Sequence, residues 1–143
     1  MARDRIKAKG RRDLGSFFAL PHAVLEHENY TRSSPKAVKL LIDLGAQYKG
    51  NNNGDLCAAW SLMTERGWKS KESLQLARDE LLHYGLIMLT RQGHLPKVAS
   101  LYALTFQAID ECNGKPDVAA TRLAPGTWKE AKPDWKRPPR NAK

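Results

Sequence analysis

The chain is poor in cysteine, has no long apolar run, and has few acidic residues for its many basic ones. Its two cysteines, Cys57 and Cys112, stand far apart with no CxxC or His-paired spacing. The four histidines, His22, His27, His83 and His94, are equally scattered. Zinc needs clustered ligands, so the expectation is two reduced thiols, no metal site and no cofactor. No stretch approaches the ~18 consecutive apolar residues of a membrane span. Residues 1–12 are charged and lack the apolar centre of a secretory signal. A cytoplasmic protein with no membrane partner is expected. The phosphate-binding GxxxxGK[ST], the nucleophile GxSxG and the metalloprotease HExxH are all missing. The adjacent pair Asp110-Glu111 does not place two carboxylates on one substrate. No catalytic residues are assigned, and the chain does not read as an enzyme.

What is present is positive charge, unevenly placed. The formal charge is +9, and residues 1–13 and 127–143 hold 12 of the 24 Lys and Arg but only 4 of the 15 acids. The two ends therefore carry +8 and the middle only +1. Basic tails suit a polyanion, nucleic acid being the commonest, although charge at chain ends also serves solubility.

Periodicity organises the middle. Residues 1–13 have no apolar period and read as a basic flexible tail. Order is expected over 14–109, opening with the cluster Phe17, Phe18, Leu20, Val24 and Leu25, with a short helix over 21–27 begun by Pro21. Ser33 or Ser34 can cap the next helix, and Pro35 fits its first turn. Ala37, Leu40, Leu41, Leu44 and Tyr48 then repeat at spacings of three and four. Lys36, Lys39, Asp43 and Gln47 fall on the outer side. Asn51-Asn52-Asn53-Gly54 reads as a turn whose amides could also meet phosphate. A short strand over 56–58, a helix over 59–66 ended by Gly67, and a helix over 71–84 capped by Ser70 follow. Leu74, Ala77, Leu81 and Leu82 face inward on that last helix. The period then changes to strands over 86–90 and 101–106, joined by a Gly- and Pro-containing loop. Residues 110–128 read as an irregular strap anchored by Trp128, and 129–143 as a basic, Pro-containing tail with little order.

The stretch Ser70 to Thr90 resembles the recognition helix and first wing strand of winged helix-turn-helix domains, and Leu81 to Ile87 matches their Leu-x-x-x-Gly-Leu-Ile phrase. The phrases from Tyr48 to Asp55 and from Thr90 to Gly93 are similar to those of small proteins of phages, plasmids and integrative elements. The resemblance covers about half the chain. It implies a mainly α fold with a small β wing (an α+β winged helix-turn-helix with disordered basic termini) and a DNA-binding regulator or replication accessory of a mobile element. Double-stranded DNA is the implied partner, and a homodimer is the arrangement that two-fold operators commonly require.

On the helix from Lys71, the residues Lys71, Gln75 and Arg78 share one face and are of types that pair with base edges. Ser70 and Ser73 sit at the helix start, where hydroxyls and free N–H groups meet phosphate. Arg91, Gln92, His94 and Lys97 belong to the wing. Glu72, Asp79 and Glu80 on the same helix would repel phosphate if they faced a groove, and Lys71 and Arg78 would then be their solvated partners. Two alternatives remain open at this point: a protein-binding adaptor or inhibitor built on a winged helix, and a tail-driven binder of single strands or RNA.

Overall fold

A computed structural model describes residues 15–94 and 97–139. The flexible tail expected over 1–13 lies outside the described residues. Pro21 caps helix α1 (His22–Leu25) from outside. The short helix expected over 21–27 is α1, which stops at Leu25. A further, unexpected helical turn, α2 (Glu28–Thr31), starts where the His27 ring nitrogen Nδ1 accepts the Asn29 N–H at 3.0 Å. Ser34 caps α3 (Pro35–Gln47) by accepting the Ala37 N–H, with Pro35 in the first turn. Strand β1 (Leu56–Cys57), helix α4 (Trp60–Met63, tightening into a 3₁₀ turn to Arg66), α5 (Lys71–His83), β2 (Ile87–Arg91) and β3 (Leu101–Leu104) complete the domain.

The product is a small α+β protein in which the three strands form one antiparallel sheet of order β1-β3-β2, compatible with a wing. Helices α3 and α5 are the principal helix pair. Leu40, Leu41, Leu44 and Leu81 are fully buried, each contributing about 1.5–3 kcal/mol of hydrophobic stabilisation. None of the described helices is long and apolar enough to cross a membrane.

Two polar side chains sit where the linear pattern does not put them. Asp43, expected on the outer side of α3, is buried. Its carboxylate accepts the Trp68 indole N–H at 2.8 Å, Arg66 Nε at 2.9 Å and Lys39 Nζ at 3.0 Å. It thereby ties α3 to the turn between α4 and α5. Burial pushes Asp43 up, but the hydrogen bonds from Trp68, Lys39 and Arg66 outweigh it and hold the carboxyl below its ordinary value. Asn53, read as a turn residue with an available amide, is fully buried. Its Nδ2 donates to the carbonyls of Leu104, Gln107 and Ala108, and its Oδ1 accepts the Leu104 N–H at 2.7 Å. This amide is committed inside the fold.

The segment after the sheet is more ordered than its composition suggests. The strap runs back over the domain through backbone bonds from Asp117 to Thr90, Thr121 to Ile109 and Gly126 to Thr105. Trp128 then enters the core. Little order is expected beyond Lys129, yet residues 128–137 lie along α2 and α5. Asn29 Nδ2 donates to the carbonyls of Trp128 and Glu130, and Arg32 to the carbonyl of Lys132 and the Asp134 carboxylate. The Pro133 carbonyl meets His83 Nε2 at 2.6 Å, and the Trp135 N–H donates to the Tyr84 hydroxyl at 2.8 Å. An extended, proline-bearing stretch makes no ladder of its own. Side chains about 100 residues upstream satisfy its carbonyls instead, which is why local sequence does not announce it. The crossing point requires glycine: Gly85 has φ +71°, and a Cβ there would stand 2.6 Å from the Thr127 carbonyl oxygen.

Candidate nucleic-acid interface

Helix α5 starts where Ser70 accepts the Ser73 N–H, and it stops at Tyr84 and Gly85. Leu74, Ala77 and Leu81 turn inward, and with them goes Glu80. The Glu80 carboxylate accepts both the backbone N–H of Ser34, at 2.6 Å, and its hydroxyl, at 2.8 Å. It thus completes the cap of α3 in the manner of a capping-box glutamate supplied from another helix. Of the three acids on α5, Glu80 is therefore removed from the outer surface, while Glu72 is exposed and Asp79 half-buried.

Lys71 and Gln75 are exposed, and Arg78 is partly covered. Arg78 Nε lies 3.9 Å from Asp79 Oδ1, a loose pair. Ser70 spends its hydroxyl on the cap, and the Ser73 hydroxyl receives Lys36 Nζ at 3.1 Å.

The hairpin has a bulge between Leu89 and Arg91, which turns Thr90 inward to donate to the Gly54 carbonyl at 2.7 Å. Arg91, one of the four wing residues, braces the hairpin. Its Nη2 donates to the Ala99 carbonyl at 2.8 Å, and its Nε is buried without a partner among the described residues. Gln92 is exposed and donates to the neighbouring Gly93 carbonyl. His94 pairs with Val98, and both His94 and Lys97 are exposed. Gly93 allows the two hairpin arms to meet, since a Cβ there would lie 2.5 Å from the Val98 carbonyl oxygen.

Between α5 and the hairpin lies an open cleft of about 490 Å³. Arg78 enters it from α5, His94 and Lys97 from the hairpin, with Tyr102 beneath and the small residues Ala58, Ala59 and Ser61 opposite. None of the described residues lining it is acidic. Burial pushes the Tyr102 hydroxyl above its ordinary value, against the opposing influence of Arg78 and Ser100. It stays a neutral donor and acceptor at physiological pH.

A second depression, of about 230 Å³, opens at the start of α5. It is lined by Lys36, Lys39, Lys69, Ser70, Ser73 and the Trp68 region. Lys39 Nζ lies 5.7 Å from the centre of the Trp68 ring, within cation–π range. The linear pattern places Lys36 and Lys39 merely on the outside of α3. Nothing local brings them beside Lys69, because that proximity is made by the packing of α3 on α5.

No protein-family model matches the chain, and no curated protein or solved structure matches it either.

Of the nine nominated residues, then, Arg78, His94 and Lys97 share one cleft. Lys71 and Gln75 are exposed on α5, and Gln75 borders a separate depression. Ser73 joins the lysine-lined depression along with the capping Ser70. Gln92 is exposed near the hairpin, and Arg91 is internal bracing. An arrangement of this kind can meet a polyanion along two edges of one helix.

Proposed function

We propose that the chain is a winged helix-turn-helix protein that binds duplex DNA, with α4 and α5 as the helix-turn-helix and the β2–β3 hairpin as the wing. The element order from α3 to β3 and the sheet order β1-β3-β2 support the assignment. One observation carries the reading: basic side chains from α5 and from the hairpin converge on a cleft whose described lining has no carboxylate. A helix laid in the major groove would present Lys71, Gln75 and Arg78 to base edges. His94 and Lys97 would then meet flanking phosphates, and Lys36 and Lys69 the backbone at the start of α5. The resemblance to proteins of mobile elements makes a cytoplasmic regulator or replication accessory the natural role.

One observation favours the protein-binding alternative: Leu62 on α4 and Ile42 on α3 are exposed apolar side chains. Titrating a duplex at several salt concentrations separates the two. The DNA reading predicts a linear fall of log affinity with log salt, of slope about −3 to −4 for roughly four phosphate contacts. Absence of duplex binding at low salt would leave the protein-binding reading. Equal affinity for a single strand of matched length would assign binding to the chain ends.

A further inference from the structure

The outer face of α5 carries an electrostatic problem that the C-terminal segment resolves. Lys71 and Arg78 supply two positive charges, and Glu72 and Asp79 cancel them. A phosphate approaching this face within a Debye length, ~10 Å at 0.1 M salt, feels the sum rather than either sign alone. On its own residues, therefore, the face is neutral.

Arg137 changes that sum. Its Nη2 lies 3.2 Å from Glu72 Oε2. Together with Pro138 and Pro139 it borders a shallow depression of about 190 Å³ whose other side is Gln75, Leu76 and Asp79. The ion pair does not put Arg137 there. Both side chains are about half exposed, and such pairs are worth little to the fold. The anchoring is upstream: Trp128 in the core, the paired carbonyls of 128, 130, 132 and 133, and the Trp135 N–H on Tyr84. The ring of Trp135 also lies 5.6 Å from that of His83, near the end of α5. Two residues further on, Arg137 reaches the first turn of the same helix. A segment fixed at one end of α5 thus delivers a guanidinium to the other.

We propose that the C-terminal segment is part of the DNA-binding surface, with Arg137 offsetting Glu72 and offering its remaining N–H groups to a backbone phosphate beside Gln75. The duplex is then gripped on both sides of α5, by the hairpin at Arg78 and by the C-terminal segment at Glu72. This rests on the duplex-binding reading above.

The test uses the full chain, its R137A and R137E variants and the charge-exchanged E72R/R137E pair, each titrated with one duplex at three salt concentrations, with a thermal melt for every variant. R137A is expected to weaken binding several-fold and to flatten the salt slope by about one, with the melt unchanged. R137E should weaken it by about tenfold or more, and the exchanged pair should recover most of that loss, because the charge of the face is restored. If the wild type binds but R137A and R137E match it in affinity and slope, the proposal is wrong while the duplex-binding reading stands. If the wild type itself does not bind duplex, both fail together.

Discussion

Replacing Asp43 with alanine is expected to lower the unfolding free energy by about 3 kcal/mol near neutral pH. The dominant cost is the Trp68 indole N–H, left buried and without an acceptor, for which ~1–3 kcal/mol is usual. Lost charge-assisted bonds from Arg66 and Lys39 add to it. These two partners are nearly half exposed and regain water, so their share is discounted. The effect has a pH signature. The Asp43 carboxyl titrates below its ordinary value in the folded chain. Its stabilisation is therefore fully present above the unfolded value, ~3.9, and is lost as pH falls through the lower folded one. Denaturant melts of the wild type and D43A should consequently differ most near neutral pH and differ less in the acid range. A gap that stayed constant down to pH 3 would contradict the assignment. Asp43 also bears on function, since it fixes the α4–α5 turn from which Lys69 and the start of α5 are presented.

The second large effect is expected at Asn53. Removing its amide in N53A orphans the buried Leu104 N–H and removes the donor shared by three carbonyls, a loss of about 3–4 kcal/mol by the usual cost of unsatisfied buried groups. The near-isosteric N53D is the sharper variant. It keeps the acceptor for Leu104 but turns an oxygen toward the carbonyls of Leu104, Gln107 and Ala108. N53D should therefore destabilise at least as much as N53A in a thermal or urea melt. A melt of N53D equal to wild type would mean that the Asn53 amide does not organise the end of β3 as described.

These two residues also mark the limit of what the linear sequence discloses. Helices α3 and α5 are legible because their apolar residues recur at spacings of three and four, and because Ser34 and Ser70 are residue types that cap. The change of period after Gly85 announces the hairpin. Asp43 falls on the polar side of the α3 pattern and Asn53 lies in a run of asparagines, and only the fold brings Trp68 to the one and the end of β3 to the other. The candidate interface divides in the same way. Lys71, Gln75 and Arg78 follow from helical spacing alone. That Arg91 braces its own hairpin follows from a bulge that no pattern marks. That Lys36 joins Lys69, or that Arg137 reaches Glu72, depends on contacts across many tens of residues. The C-terminal segment is the clearest case, since its order comes from Asn29, Arg32, His83 and Tyr84 rather than from any propensity of its own.

Duplex recognition through the outer face of α5 is the central claim, and selection from a pool of random duplexes tests it most directly. The wild type and the triple variant K71A/Q75A/R78A would be carried through the same rounds at fixed salt. The wild type is expected to enrich a defined set of sites. The triple variant should keep a weak, salt-sensitive affinity supplied by the remaining basic residues and lose that enrichment. Enrichment of the same sites by the triple variant, to the same degree, would contradict the reading of α5 as the helix that recognises DNA.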